Sequence, residues 1–222
     1  ADRGLFEQKM TALWIRDPLS IFADGAERGL VVHDQQIVQL VSAGRTPSVP
    51  FDATFDASQH VVLPGLINTH HHFYQNLTRA LRPALDKELF DWLQALYPVW
   101  AGLEPEMLAV ATELALAELL LSGCTTTSDH HYLYPAGLEQ AIDIQVEVAR
   151  QIGIRVTLTR GSMDLCVDDG GLPPASVVQN SETILADSER VVSAFHQAEP
   201  GAMVQVALAP CSPFSVSRPV ML

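Results

Sequence analysis

Apolar residues fall along this chain in two rhythms. From Met10 to about His60 they come in short bursts (MTALWI, GLVVHD, QIVQLV and ATFDA) separated by RDPLS, DGAERG and SAGRTPSVP. Short β-type runs with this punctuation predict a small sheet with little room for helices. Residues 1–9 carry no such pattern and read as a flexible leader. Beyond residue 60, continuous apolar runs alternate with stretches of helical spacing. The runs are VVLPGLINTHHH, CTTTSDHHYLYP, IRVTLTRGSM and VQVALAPCSPFSVS. The helical stretches are ELFDWLQALYPVW (88–100, ended by Pro98), EPEMLAVATELALAELLLSG, GLEQAIDIQVEVARQIG and SETILADSERVVSAFHQ. Gly123 and Gly153 supply stop signals and Ser181 an N-cap. The second helix is apolar around much of its circumference, so burial of most of its surface is expected. The order β, α, β, α, β, α, β predicts an α/β fold with a parallel sheet in residues 61–222, behind a small β domain in residues 1–60.

Composition narrows the function classes. The 222 residues, 48% of them hydrophobic, suffice for one large domain or one large and one small. A formal charge of −13 and the lack of any basic run argue against a nucleic-acid polymer or an anionic membrane as partner. Cys124, Cys166 and Cys211 are odd in number and lack C-x-x-C spacing, so they read as free thiols in a reducing compartment. No run of about 18 apolar residues and no basic-then-apolar leader appear, which makes the cytoplasm the expected location. A homo-oligomer stays open.

Against that background the candidate chemistry gathers after the strands: His70, His72 and Gln75; Asp129, His130 and His131; Arg160; Cys211 and Ser212. Active sites of (β/α) barrels collect at that end. Open doubly wound sheets also use their carboxyl ends, but no G-x-G-x-x-G follows the first strand, which favours the barrel. In an extended strand alternate side chains share a face, so His70 and His72 point together and His71 the other way. Two imidazoles so placed suit one divalent metal.

PGLINTHHH resembles the first barrel strand of the amidohydrolase superfamily, in which the two outer histidines of His-any-His are ligands; His70 and His72 match them. THHHFYQNLTRAL, LFDWLQALYPVW, GCTTTSDHHYLYP, LTRGSM, DGGLPPASVVQ and VALAPCSPFSVS together resemble the 8-oxoguanine deaminase group, with hydroxyatrazine and isoxanthopterin aminohydrolases as near relatives. The resemblance implies a (β/α)8 barrel, one zinc ion (or iron), and hydrolytic release of ammonia from a small heterocycle, an oxidised purine first. It implies too that the N-terminal sheet is part of a β-sandwich. The family's other ligands, a histidine and an aspartate, and its proton-shuttling glutamate belong to later strands with no counterpart here. Only about four of eight strand–helix units are expected in this chain, so it reads as the N-terminal half of a longer protein. Alone, half a barrel would expose strand edges and be poorly stable.

Several residues carry two readings each. Gln75 is a candidate to read a purine edge with donor and acceptor, or to cap a strand end. Arg160, at an apolar strand's end, either binds a substrate carbonyl or pairs with Asp164 or a pocket carboxylate. One of His130 and His131 must point away from the barrel axis; His131 is a candidate for ligand support. Cys211 is expected as a pocket wall rather than a nucleophile, having no adjacent histidine. Trp92, Tyr97 and Trp100 either roof a flat ring or pack their helix. A triazine or pterin aminohydrolase and a metal-free binding protein that kept the barrel shell are the competing functions. A two-metal hydrolase is disfavoured, because Ala209 to Pro213 offers no bridging lysine or carboxylate.

Overall fold

The computed structural model describes residues 12–222; the expected leader at 1–9 lies outside them. The described chain forms two compact units, one running to Pro64 and one from Gly65 to Leu222. In the first, β1 (Leu13–Arg16), β3 (Gly29–His33), β4 (Gln36–Leu40) and β5 (Ala53–Asp56) form a sheet in the order β4-β3-β1-β5. Its β3–β4 hairpin turns through Asp34 and Gln35, both at positive φ (51° and 68°), the geometry that matches strand twist in a two-residue loop. A separate pair joins β2 (Ser20–Ile21) to β6 (Val61–Val62). Val61 and Val62 therefore belong to the first unit, and the division falls after Pro64 rather than after residue 60.

The second unit is α/β. Strands β7 (Leu66–Asn68), β8 (Cys124–His131), β9 (Arg155–Ser162) and β10 (Val204–Pro210) lie side by side in chain order, every neighbouring pair parallel. Helices α1 (Leu89–Trp100) and α2 (Pro105–Leu121) join β7 to β8. Helices α3 (Ala141–Ile152) and α4 (Ser181–Phe195) make the next two crossovers, and a short α5 (Arg218–Met221) follows β10. Strand order that never reverses is the order of a barrel wall; a doubly wound sheet reverses at its switch point. Gly65 lets the chain enter β7, since a Cβ there would lie 1.9 Å from Thr125 Oγ1.

Burial alternates along the strands and so assigns their faces. Thr127, Asp129 and His131 of β8 are buried while Ser128 and His130 are half-buried. Val156 and Leu158 of β9 and Val204 and Val206 of β10 pack with Ile142, Val146 and Ala149 of α3 and Val191 of α4. That face is covered by helices, and each fully buried aliphatic side chain contributes about 1.5–3 kcal/mol. His131 pairs in register with Arg160, and His130 with Thr159. Adjacent residues thus face opposite layers.

Three local expectations are corrected. Pro98 lies inside α1 rather than ending it; in the last turn it sacrifices one hydrogen bond, and the helix runs on to Trp100. The N-cap of α4 is Asn180, whose side chain accepts a hydrogen bond from Thr183 N at 2.8 Å, not Ser181. Helix α2 buries only one face, with Leu108, Ala111, Ala115 and Leu116, while Val110, Leu114 and Leu121 are exposed. Among the described residues no helix is long and apolar enough to cross a membrane.

Candidate metal centre and cleft

The first strand stops at Asn68, yet the histidine run stays tied to the sheet: His130 N donates to His71 O at 2.8 Å. His72 is the extended N-cap of a 3-10 turn (Phe73–Thr78). This short clamp brings His70 Nε2 and His72 Nε2 to 3.2 Å from one another. Two imidazole nitrogens bound to one zinc at roughly 2.05 Å and separated by that distance would subtend an angle of about 103°, close to tetrahedral. The protonation pattern fits as well. His72 Nδ1 lies 2.7 Å from the His130 carbonyl, which can only accept, so Nδ1 carries the hydrogen and Nε2 presents its lone pair. Burial, followed by neighbouring histidines, lowers the His72 pKa to about 4 against a raising hydrogen bond, keeping the ring neutral. His71 turns elsewhere, against Phe73, with its pKa lowered first by burial and then by the charge of Arg79.

The donor set present is two imidazoles. Among the described residues no group of three or more His, Cys, Asp or Glu side chains converges on a point. Catalytic zinc takes three protein ligands and an open position, so these residues fit as part of such a site.

Beside the pair opens a cleft of about 340 Å³ lined by His70, His72, Gln75, Trp92, His130 and Cys211 among others. Leu89 and Leu93 of α1 and Ala209 and Pro210 of β10 add apolar walls. Thr159 lines the same cleft, and its hydroxyl is buried with no hydrogen-bond partner among the described residues. Gln75 lines it too, its Nε2 donating weakly to Tyr74 Oη at 3.3 Å. Cys211 is a wall residue, and burial raises its thiol pKa, which disfavours thiolate.

Other sequence candidates go elsewhere. Arg160 is on the helix-covered face and does not line the cleft; its carboxylate partner is Asp187, not Asp164. Its Nε donates to Asp187 Oδ2 at 2.9 Å and a terminal nitrogen to Gln179 Oε1 at 2.7 Å, while the guanidinium stacks 4.0 Å from the Tyr134 ring. Asp164 instead accepts from Ser217 N at 2.6 Å. His131 is enclosed by Tyr74 and Tyr134, its Nε2 2.7 Å from Leu133 O, and burial lowers its pKa to about 4. The lining histidine of that pair is His130. Tyr97 is buried against Trp100, its hydroxyl 3.9 Å from Met163 Sδ, so it packs the helix instead of roofing the cleft. Trp100 does the same, and Trp92 alone of the three reaches the cleft. The sequence leaves open which of His130 and His131 faces the cleft, and it does not single out Tyr132, Thr159 and Gly161 as lining residues. The period-two burial of β8 and β9, counted from Val156 and Leu158, would have found His130 and Thr159.

Asp129, grouped by sequence with His130 and His131 but given no role there, lies outside the cleft lining. It is fully buried, accepts from Phe73 N at 2.6 Å and from Gln145 Nε2 at 2.6 Å, and burial pushes its carboxyl up to about 7 against those bonds.

Comparison with known proteins bears on this arrangement. An 8-oxoguanine deaminase of Pseudomonas aeruginosa is 62% identical over 215 residues, covering 96% of this chain and 48% of that protein. A hydroxydechloroatrazine ethylaminohydrolase of a Pseudomonas species is 42% identical over 154 residues, covering 68% of this chain and 32% of the relative. The chain thus spans half or less of the length of these relatives. A zinc-complexed atrazine chlorohydrolase from Arthrobacter aurescens superposes with a TM-score of 0.79 at 28% identity, over 94% of this chain and 48% of that one. The model of the amidohydrolase family matches residues 61–222, and with the paired histidines at the end of its first parallel strand, this chain belongs to that family.

Proposed function

We propose that the full-length protein is a metal-dependent hydrolytic deaminase of an oxidised purine base, converting 8-oxoguanine to urate and ammonia. The parallel wall β7–β10 then represents four of the eight strands of a (β/α)8 barrel. The observation that carries the reading is the His70–His72 pair, with lone pairs converging at 3.2 Å, opening on a cleft in a chain 62% identical to an 8-oxoguanine deaminase.

The chain's residues divide the work. His70 and His72 would hold zinc, or iron, through Nε2, and the His130 carbonyl fixes the His72 tautomer. When bound, such a metal makes water nucleophilic near neutral pH. Gln75 offers an amide donor and acceptor to the ring edge. Trp92, Leu89, Leu93 and Pro210 supply apolar surface for a flat heterocycle and exclude bulk water around it. A neutral base suits a chain of charge −13 better than a polyanion does.

A triazine substrate is the second reading, favoured by the 42% identity to the ethylaminohydrolase. Ammonia release from 8-oxoguanine, guanine, isoxanthopterin and hydroxyatrazine, each offered to zinc-loaded full-length protein, decides between them. Turnover of 8-oxoguanine at the highest kcat/KM is expected; a hundredfold preference for a triazine or pterin would displace the purine assignment. Absence of zinc with retained ligand binding would favour the metal-free binding protein.

A further inference from the structure

We propose that Asp129 is a positioning residue for the metal pair: its carboxylate clamps the peptide after His72 to strand β8 and helix α3. This rests on reading His70 and His72 as ligands and adds a residue that touches neither metal nor substrate.

The geometry is unusual for a helix start. The first N–H groups of a helical turn lack intrahelical partners, and an N-cap side chain ordinarily supplies an acceptor. Here the N-cap is His72, whose side chain makes no capping bond because its ring is committed to His70 and to the His130 carbonyl. Asp129, distant in sequence, supplies the missing acceptor: Oδ1 takes the Phe73 N–H at 2.6 Å, at a residue with no solvent exposure. Oδ2 takes the Gln145 amide at 2.6 Å, tying the turn to α3. Together with His130 N to His71 O and His72 Nδ1 to His130 O, two consecutive residues of β8 hold residues 71, 72 and 73. These bonds fix the backbone on both sides of His72 and one nitrogen of its ring. Outer partners of this kind, when removed, typically weaken metal binding 10–100-fold.

The Gln145 side chain predicts which substitution is tolerated. Its Oε1 is buried and has no partner among the described residues. In Asp129→Asn the new amide can keep accepting from Phe73 N through oxygen and donate to Gln145 Oε1 once that amide rotates. A hydrogen-bonding role therefore survives Asn but not Ala.

The test is competitive chelator titration of zinc on full-length protein, with the visible spectrum of the cobalt-substituted form and melting of the metal-free form. Asp129→Ala should weaken zinc at least tenfold and alter the cobalt bands; Asp129→Asn should remain within about threefold of wild type. Gln145→Leu, which leaves the Phe73 bond in place, should fall between them and covers the case in which Asp129→Ala does not fold. Lower melting temperatures with unchanged zinc affinity and cobalt spectrum in Asp129→Ala, or in Gln145→Leu where Ala fails to fold, would make Asp129 a scaffold residue only and overturn the proposal. His72→Ala separates the two claims. If it too keeps zinc, the ligand reading fails and this proposal with it; if it loses zinc while the Asp129 and Gln145 variants do not, only this proposal falls.

Discussion

The two faces of the same strand ends make opposite uses of similar side chains. On the cleft face, His130 and Thr159 stand as register partners, near His70 and His72, with the Thr159 hydroxyl unpaired among the described residues. On the helix-covered face, one residue along each strand, His131 and Arg160 are also register partners, but fully enclosed and bonded to Leu133, Asp187 and Gln179. Each face leaves a buried polar atom without a partner among the described residues, Thr159 Oγ1 on one and His131 Nδ1 on the other, so the faces differ in whether they line the cleft and not in hydrogen-bond satisfaction. Residue type alone does not separate ligand handling from scaffolding; the face does.

The comparison is sharpest where the effect is largest. His70→Ala and His72→Ala in the full-length protein should each lower zinc affinity by about a hundredfold or more, since the pair supplies half to two-thirds of the protein ligands of a four- or three-ligand site. His71→Ala should retain zinc, because its ring turns to Phe73. Metal analysis after dialysis reads both; full occupancy in His72→Ala would break the contrast at once.

On the other face, Arg160→Met should reduce stability to denaturant by about 3 kcal/mol, the lower end for a broken buried pair. Arg190 still holds Asp187 at 2.9 Å, which limits the loss. Zinc content and kcat/KM of the folded protein should change less than threefold. A stable variant that has lost turnover would place Arg160 in the cleft after all.

His131 makes a pH-dependent contribution of similar size. The fold keeps its ring neutral down to a pKa of about 4, whereas the unfolded chain protonates near 6.5. Its stabilisation is therefore complete above about pH 6.5 and is lost as pH falls towards 4, by about 3 kcal/mol in all. Asp129, with its carboxyl raised to about 7, acts in the opposite sense over this window. The measurement is thus the unfolding free energy of wild type minus His131→Asn at each pH, in which the Asp129 part cancels. A difference independent of pH would mean that His131 is solvated.

Smallest is Gln75→Ala. Loss of one hydrogen bond to a bound ring costs about 1–3 kcal/mol, a fall in kcat/KM of roughly tenfold to a hundredfold. Zinc occupancy should not move. Unchanged kinetics would leave Gln75 as a cap on the turn beside Tyr74.

Much of this was legible in the sequence because it is local. Apolar, β-branched runs gave β9 and β10 and a threonine-rich run β8, Gly153 ended α3, and the i, i+2 spacing brought His70 to His72. What stayed hidden depends on partners far along the chain. Arg160 reads as a site residue until Asp187 and Gln179, 27 and 19 residues on, come to meet it. Choosing between His130 and His131 required the strand's phase relative to α3, set by packing. Val61–Val62 looks like the start of the barrel strand, yet pairs with Ser20–Ile21 inside the first unit, before the Pro64–Gly65 division. Asp129 was quoted only as part of a strand end, since nothing nearby in sequence announces its bond to Phe73.

The most direct test of the central claim is X-ray absorption at the zinc edge of the full-length protein, alongside a His70→Ala/His72→Ala double variant. The account predicts imidazole scattering with nitrogens at roughly 2.0–2.1 Å in wild type, and loss of the bound metal in the double variant. A wild-type zinc shell without imidazole, or an unchanged spectrum in the double variant, would contradict it.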